Sequence, residues 1–397
     1  MNLYFEKFHN RLSALSTEYV RDIIHTIPWN SRLLGITGAR GTGKSTLLLQ
    51  YIKLNLPLNG TVLYVSLDDL AFANINLSEF AAAFVQNGGQ HLFLDEVHKY
   101  PEWVIHLKNI YDSQPGLKIT FTGSSLLNIL DSRADLSRRA LIFKMQGLSF
   151  REYLGIKGIY KTEKASLSDI LFNFSDFTTE VNSKTRPIQH FNKYLTHGYY
   201  PFFLEDEFWY HQRVQNVVNM ILEVELPMLR RVDINSTFRL KQLLGIIAVS
   251  APFIPNVSAL SQKTGINRNT LLTYLHYLED AALTKNLNRD SFGVSLLQKP
   301  EKIFLDNTNL AAALAPESMN RGNARETFFA NQLGYQHKLT FPKTGDFIVD
   351  EKYLFEIGGK NKSKKQINSQ SDAFLVNDDI EFGFGKTLPL WLFGFLY

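Results

Sequence analysis

The sequence contains no cysteine among its 397 residues, which excludes disulfide bonds, thiolate metal sites and cysteine nucleophiles. It also lacks an uninterrupted apolar run of about 18 residues, the length that a membrane-spanning helix requires. Its first residues carry charges with no long apolar stretch behind them, unlike a secretory signal peptide. We therefore expect a cytoplasmic protein without membrane spans.

A strong excess of either charge is absent as well. The 42 Lys and Arg residues against 38 Asp and Glu residues leave a net charge of +4, which does not by itself indicate a nucleic-acid binder. Hydrophobic residues make up 45% of the chain, as in ordinary globular proteins. At roughly 100–200 residues per domain, the length predicts two or three domains.

Short apolar segments alternate with helical patterns in the first part of the chain. Strands are predicted at 32–38, 61–67, 91–96, 117–125 and 140–145, and helices at 5–26, 43–54, 77–86 and 101–113. Nearly continuous apolar strands are typical of a sheet that is covered on both faces. The alternation implies right-handed crossovers and a parallel sheet, so we predict an α/β domain over residues 1–146.

A glycine-rich segment, GARGTGKS at 38–45, joins the first predicted strand to a helix and fills every position of the phosphate-binding pattern G-x-x-x-x-G-K-[ST]. Inward-facing N–H groups and the helix N-terminus attract phosphate oxygens. Lys44 would neutralise the β- and γ-phosphates, and the Ser45 hydroxyl would hold Mg²⁺. The predicted ATP contacts are Gly38, Ala39, Arg40, Gly41, Thr42, Gly43, Lys44, Ser45 and Thr46.

The segment HLFLDE at 91–96 predicts a buried strand that carries Asp95 and Glu96 to its carboxyl end. Open parallel sheets bind ligands at that edge. Asp95 would support Mg²⁺ directly or through a coordinated water, and Glu96 would orient the attacking water. With Lys44, these two residues are the predicted catalytic groups of an ATPase; an ordinary acidic turn is the alternative.

A similar strand ends in the sequence TGSS at 122–125. Small polar side chains at that position could sense the γ-phosphate or hold the lytic water, which makes Thr122 and Ser124 candidates. A plain strand-to-helix turn is the alternative interpretation.

The segments GARGTGKST, LFLDE and FTGSS resemble those of the AAA-type (AAA+) ATPases, in a branch close to the signalling ATPases with numerous domains. The resemblance implies a RecA/AAA-like P-loop NTPase sheet with the strand order 5-1-4-3-2. Such enzymes commonly supply an arginine to the γ-phosphate of a neighbouring subunit, so an oligomer is one expectation. The arginine candidates are Arg133, Arg138 and Arg139, with solvated surface arginines as the alternative.

The resemblance extends over nearly the whole chain, to a bacterial and archaeal family that pairs this core with a C-terminal domain of unknown function. It is carried by GLSFREYL (147–154), YLTHGYYPFFLE (194–205), 258–283 and KPEKIFLDNTNL (299–310). It implies a winged helix-turn-helix at 236–310 and a small α+β restriction-endonuclease-like domain at 311–397. Residues 147–235 lack clear strand alternation, and we predict a mostly helical region there.

Within 236–310, Ser258 and Asn267 are predicted helix caps and Gly265 the turn between the two helices. The second helix has a predicted buried stripe of Leu271, Leu272, Leu275 and Leu278. In a DNA reader the opposite face would meet the groove; it carries Arg268, Asn269, Thr273 and His276. Few cations accompany them, which predicts weak DNA binding.

The restriction-endonuclease-like fold usually carries an acidic residue, then (D/E)-x-K, and an upstream helical Glu. Here Glu326, Asp346 and Glu356 fill the acidic positions and could hold Mg²⁺ for phosphodiester hydrolysis. The lysine position is Gly358, with Lys360 two residues further along as its candidate replacement. This departure favours a degenerate domain that binds or scaffolds over an active nuclease.

The combined expectation is an ATP-driven conformational switch. DNA is the first candidate partner, by analogy with the accessory folds. Two alternatives stay open, a regulatory switch that binds proteins and an ATP-regulated nuclease.

Overall fold

The computed structural model describes residues 1–126, 136, 138–230, 232–289, 298–362 and 371–397. The chain divides into two compact units, Met1–Gly147 and Leu148–Tyr397. The candidate Arg133 lies outside the described residues. Among the described helices, none is both long enough and apolar enough to span a membrane.

The first unit is built on a five-stranded sheet. Its strands are β1 Leu33–Gly38, β2 Val62–Ser66, β3 His91–Asp95, β4 Lys118–Ser124 and β5 Leu141–Lys144. Every pairing is parallel, and the order β5-β1-β4-β3-β2 is the one that the resemblance implied. Strands β1 to β4 are buried along nearly their whole length, as expected for strands covered on both faces.

The helices of the first unit connect these strands. They are α1 Asn2–Ser13, α2 Ile23–Thr26, α3 Lys44–Asn55, α4 Leu77–Gln86 and α5 Trp103–Ser113, with 3₁₀ turns at Leu70–Asn74 and Val97–Lys99. Since α3 follows β1 after a short loop and α5 follows β3 after one short turn, both helices begin near the carboxyl edge of the sheet.

The single helix predicted over 5–26 is wrong, because α1 and α2 are separated by an irregular stretch. In that stretch the Ser16 hydroxyl accepts the Glu18 N–H, and Gln50 of α3 donates to the carbonyls of Ser16 and Tyr19. These bonds replace the helical ones. The helix predicted to start at Pro101 instead begins at Trp103, after Glu102 in a left-handed conformation (φ 51°).

The second unit is mostly helical up to residue 280. Its helices are α6 Phe150–Ile156, α7 Leu167–Phe172, α8 Phe174–Lys184, α9 Pro187–His197, α10 Tyr210–Met220, α11 Leu226–Arg230, α12 Ile234–Ser250, α13 Val257–Thr264, α14 Arg268–Asp280, α15 Thr308–Leu314 and α16 Arg321–Leu333. A π-helical segment, Ile221–Glu225, joins α10 to α11, and 3₁₀ turns occur at Pro201–Leu204, Pro316–Ser318 and Leu390–Phe395.

Two sheets follow in the second unit. An antiparallel pair consists of β6 Thr284–Leu287 and β7 Lys302–Leu305, and Phe253 forms a single bridge to Ile303. The other sheet has the order β12-β11-β10-β9-β8, from β8 Leu339–Thr340, β9 Phe347–Val349, β10 Tyr353–Gly358, β11 Ala373–Asn377 and β12 Thr387–Pro389. Helix α16 packs on this sheet through Phe329, whose ring contacts Phe347, Phe355 and Phe393.

Helices α13 and α14 meet at Gly265, which has φ 65° and therefore favours glycine. Asn267 caps α14 as predicted, because its side chain accepts the N–H of Thr270. The cap of α13 is Asn256, so the prediction of Ser258 is wrong; Ser258 lies inside the helix. The predicted leucine stripe of α14 is buried at all four positions.

Candidate nucleotide site

The loop at 38–45 connects β1 to α3 and depends on its glycines. Gly41 and Gly43 have φ values of 83° and 92°, in the left-handed region that side chains disfavour. At Gly38, a Cβ atom would lie 2.1 Å from the carbonyl oxygen of Met145. Only glycine therefore allows the chain after β5 to pass so close to the start of the loop.

Lys44 is the first residue of α3 and only 5% of it is exposed. Its Nζ donates hydrogen bonds of 2.9 Å to the carbonyls of Gly38 and Ala39. The ammonium group thus lies inside the curve of the loop, at the positive end of the helix dipole. This combination favours an anion such as phosphate. Ser45 and Thr46 follow in the first turn, half-buried and exposed respectively.

The remaining loop residues hold its shape. Thr42 is fully buried, and its hydroxyl donates to the Ala39 carbonyl at 2.9 Å. Arg40 is half-buried. The loop is therefore braced internally at Thr42 and Lys44.

A buried arginine that the sequence analysis did not identify supports the loop from the other side. The guanidinium of Arg21 donates to the carbonyls of Thr42 (3.3 Å), Gln146 (2.7 Å) and Gly147 (3.0 Å). Arg21 thereby ties the loop to the chain that leaves β5. No motif marks this residue, since its partners are backbone atoms more than 20 positions away.

Asp95 is the last residue of β3 and is 2% exposed. Its Oδ2 accepts a hydrogen bond of 2.5 Å from the Tyr64 hydroxyl, and its Oδ1 accepts one from the Thr122 hydroxyl. Burial, reinforced by the charge of Asp95, raises the pKa of Tyr64, so Tyr64 stays a neutral donor. Both carboxylate oxygens of Asp95 are thus held by hydroxyl groups.

Thr122 also accepts the backbone N–H of Glu96 at 3.0 Å, so its hydroxyl lies between the two acidic residues. Ser124, the other predicted sensor, is paired in register with Gly38 of β1, and its hydroxyl accepts the N–H of Leu126 at 3.3 Å. Thr122 is therefore adjacent to the acidic pair and Ser124 is adjacent to the loop.

Glu96 leaves the sheet in a left-handed conformation, with φ 55°. Its Oε2 lies 3.3 Å from Nε2 of His98, whose side chain is fully buried. No sequence pattern marks His98, because it is an isolated histidine in a turn.

The donors at this edge fit Mg²⁺, which prefers oxygen ligands and is usually held by one or two carboxylates, waters and substrate phosphates. Ser45 supplies a hydroxyl and Asp95 a carboxylate. In the described ranges, no three or more His, Cys, Asp or Glu side chains are grouped so as to hold a metal ion. A metal ion at this edge would therefore take most of its ligands from water and phosphate.

Two of the arginine candidates, Arg138 and Arg139, lie within the described residues. Arg139 forms a bidentate pair with Asp112 of α5, with Nε–Oδ1 and Nη2–Oδ2 distances of 3.1 Å and 3.0 Å. Arg138 is exposed. Within the single chain, Arg139 is thus engaged in an ion pair with α5.

The structure also brings together the three carboxylates predicted in the C-terminal part. Glu326 lies on α16, Asp346 precedes β9 and Glu356 lies on β10. Burial, followed by the negative charge of Glu326 and Glu356, raises the pKa of Asp346 to about 6. The Asp346 carboxylate is fixed by the backbone N–H of Ile357, which it accepts at 2.7 Å.

Lysines accompany two of these carboxylates. Lys302 pairs with Glu326, and Lys362 Nζ lies 2.6 Å from Glu356 Oε1. The residue that reaches Glu356 is thus Lys362, whereas the predicted Lys360 is exposed. A Cβ atom at Gly358 would lie 2.3 Å from the Cβ of Lys362, so Lys362 passes directly over the position where the motif has its lysine.

Two family models match parts of the chain. The model of the AAA domain matches residues 30–154, and a domain of unknown function (DUF8612) matches residues 188–321. Each covers less than half of the 397 residues. No curated protein matches the chain significantly.

Three solved structures illustrate the likeness. A katanin self-assembly structure is 14% identical over 34% of this chain and 48% of that chain, with a TM-score of 0.25. AMPPCP-bound DnaA from Aquifex aeolicus is 14% identical over 70% of this chain and 82% of that chain, with a TM-score of 0.26. The S. cerevisiae Hsp104–ADP complex is 15% identical over 70% of this chain and 46% of that chain, with a TM-score of 0.33. The chain thus spans about half the length of the katanin chain.

The AAA domain match contains all of β1 to β5, the loop at 38–45 and the acidic pair. The strand order and the glycine-dependent loop are those of a P-loop NTPase. The first unit therefore has an α/β P-loop NTPase fold, and residues 30–154 are similar to the AAA domain.

Proposed function

We propose that the chain binds ATP with Mg²⁺ at the loop of residues 38–45, hydrolyses it, and uses the cycle as a conformational switch. One observation carries the proposal. Strands β1, β4 and β3 are adjacent and parallel, so the loop, the Thr122–Ser124 segment and Asp95–Glu96 all emerge at the same sheet edge.

The loop residues would bind the triphosphate. Lys44 would exchange its two loop carbonyls for phosphate oxygens, and the N–H groups at the start of α3 would donate to the same anion. Bound Mg²⁺ would supply electrostatic stabilisation of the phosphate oxygens. Ser45 and Asp95 are the residues proposed to hold it.

Glu96 is proposed to orient and polarise the attacking water. Its backbone is fixed by Thr122 and its carboxylate lies near the buried His98. Thr122 and Ser124 remain the candidates for contact with the γ-phosphate or the lytic water. A γ-phosphate arginine from a second copy of the chain remains part of the proposal, with Arg133, Arg138 and Arg139 as candidates.

For residues 236–310 we propose a winged helix-turn-helix. The order of α12, the bridge at Phe253, α13, α14 and the hairpin β6–β7 supports it. On α14, Arg268 and Asn269 are exposed and available to a partner. Glu279, however, is bonded to Asn286 at the base of the hairpin, and Asp280 pairs with Arg230. DNA is the first partner to test, at weak affinity.

For residues 311–397 we propose a restriction-endonuclease-like fold that binds or scaffolds and does not cleave. Lys302 and Lys362 each pair with a carboxylate that a metal ion would need. An ion pair of this kind compensates the negative charge on Glu326 and Glu356.

The test is steady-state ATP hydrolysis with and without DNA, with the particle mass measured in the same buffers. Lys44→Ala should weaken ATP binding at least tenfold, since charge-assisted hydrogen bonds are worth about 1.5–3 kcal/mol. The exposed Lys161→Ala is the matched control and should bind like wild type. Equal ATP affinity in Lys44→Ala and wild type would contradict the site assignment.

These assays, together with measurements of ADP release and DNA cleavage, separate the alternatives. Hydrolysis stimulated by DNA supports a DNA partner. Slow, DNA-indifferent turnover with tight ADP retention supports a switch that binds proteins. Metal-dependent DNA cleavage that disappears in Glu356→Ala would support a nuclease and overturn the scaffolding proposal.

A further inference from the structure

We propose that Arg11 and Tyr64 are positioning residues for Asp95, so that helix α1 is part of the hydrolytic site. They would fix the carboxylate in the orientation in which it holds Mg²⁺ or a coordinated water. The inference rests on the proposed function, because it assigns these residues a role in the same nucleotide site.

Tyr64 reaches Asp95 from the neighbouring strand. Strand β2 pairs with β3 so that Ser66 is opposite Asp95, and Tyr64 lies two residues earlier, opposite Phe93. Its ring is 2% exposed and stacks beside Phe8 of α1, with ring centroids 6.4 Å apart and planes at 23°. The packed ring therefore leaves the hydroxyl little freedom in where it points.

Arg11 determines which way the Tyr64 hydroxyl hydrogen points. Its Nη1 donates to the Tyr64 oxygen at 2.9 Å. A guanidinium group is only a donor, and a phenol has a single hydrogen. Because the Tyr64 oxygen accepts from Arg11, its one hydrogen is available for Asp95. Hydrogen bonds in such a chain polarise one another, which strengthens the donation to Asp95.

The hydrogen bonds that end at Asp95 fix the plane of its carboxylate. Thr122 donates to Oδ1 and Tyr64 to Oδ2, so rotation of the side chain would break at least one bond. Each carboxylate oxygen retains a further lone pair for a metal ion or its water. Without the Tyr64 hydroxyl, the buried Oδ2 of Asp95 would lose a hydrogen-bond donor, and the Asp95 side chain could rotate more freely.

The experiment measures how much Mg²⁺ strengthens nucleotide binding, by calorimetric titration of ADP with and without Mg²⁺, alongside kcat for ATP. Tyr64→Phe should leave the Mg²⁺-free ADP affinity within about twofold of wild type. The strengthening by Mg²⁺ should fall about tenfold, which corresponds to about 1.4 kcal/mol. Tyr51→Phe, in α3 of the same unit, removes a tyrosine hydroxyl elsewhere and should behave like wild type.

Arg11→Met tests whether Arg11 acts through Tyr64. It should reduce the strengthening by Mg²⁺ in the wild-type background and have no further effect in Tyr64→Phe, since the hydroxyl that it orients is then gone. If the effects of the two substitutions instead multiply, Arg11 does not act through Tyr64. Should Tyr64→Phe fail to fold, as judged by thermal unfolding, Arg11→Met and Arg11→Lys carry the test, and Arg11→Lys should recover part of the loss.

The outcomes distinguish this inference from the proposed function. If wild type shows no Mg²⁺-dependent nucleotide binding, the proposed function fails. If wild type binds and hydrolyses ATP while Tyr64→Phe and Arg11→Met retain the full strengthening by Mg²⁺, only the positioning role is overturned. A purely structural role would lower the unfolding temperature and leave the strengthening by Mg²⁺ unchanged.

Discussion

The candidate-site carboxylates of the two units are held by different kinds of donor. In the first unit, neutral hydroxyls hold Asp95, from Tyr64 and Thr122. A hydroxyl donor fixes the orientation of a carboxylate and leaves its negative charge in place, whereas an ammonium group compensates that charge. The first arrangement suits a site that receives a metal ion together with its nucleotide.

In the second unit, ammonium groups hold two of the three predicted carboxylates, through the pairs Lys302–Glu326 and Lys362–Glu356. A buried amide of that unit, Asn309, is also engaged in structural bonds. Asn309 is fully buried and links three segments of the chain by side-chain hydrogen bonds. Hydroxyl groups thus hold Asp95 in the first unit, whereas ammonium groups hold Glu326 and Glu356 in the second.

The largest expected loss of stability is that of Asn309→Ala in the second unit. The substitution leaves the N–H groups of Gly198 and Tyr199 and the hydroxyl of Tyr210 without their shared acceptor. Each unsatisfied buried group costs about 1–3 kcal/mol, so the free energy of unfolding should fall by about 4 kcal/mol. Chemical denaturation followed through the second unit measures the loss. The exposed Asn219→Ala is the matched control; equal stabilities of the two variants would refute a structural role for Asn309.

Asp346 provides a pH test of the carboxylate cluster. Its pKa in the fold is about 6, above the unfolded value near 3.8, so the folded state binds the proton more tightly. The stabilisation is complete below about pH 4 and is lost as the pH rises through about 6, on the order of 3 kcal/mol at most. The measurement is unfolding free energy between pH 4 and 7 for wild type and Asp346→Asn. The variant should lack this decrease; parallel pH dependences of wild type and variant would show that the pKa of Asp346 is not raised in the fold.

A smaller loss of unfolding free energy is expected from Lys362→Met. This substitution keeps an aliphatic side chain over Gly358 and removes the ammonium group. Glu356 would remain 2% exposed with its charge less compensated. Because Lys362 is itself 37% exposed, we expect a loss of about 2 kcal/mol in unfolding free energy rather than the full cost of a buried pair. Lys360→Met is the matched control, and an equal change in both variants would indicate that Lys362 is an ordinary surface lysine.

Much of the first unit could be predicted from the sequence, because local patterns determine it. The five strand predictions agree with β1 to β5 to within one or two residues. Apolar runs mark β1 to β4 because these strands are buried, whereas β5 is an edge strand with exposed apolar residues. The loop at 38–45 follows a pattern tied to its mechanism. The roles assigned to its residues, and to Asp95 and Glu96, stay predictions until they are measured.

The supporting residues could not be predicted, because their partners are distant in sequence. Tyr64 meets Asp95 across a strand pair, Arg21 binds backbone carbonyls and His98 lies in a turn without a motif. Lys362 likewise reaches Glu356 only because the chain after β10 folds back over Gly358. Hydrogen-bond partners of this kind depend on tertiary structure, which periodicity does not report.

The most direct test of the account is ATP turnover by Glu96→Gln, measured with ATP binding in the same preparation. The substitution keeps the shape of the side chain and removes its ability to polarise water. We predict ATP affinity within about threefold of wild type and turnover reduced about 100-fold or more, in the range of general-base contributions. Turnover equal to wild type would contradict the assignment of the acidic pair, and with it the proposed ATPase site.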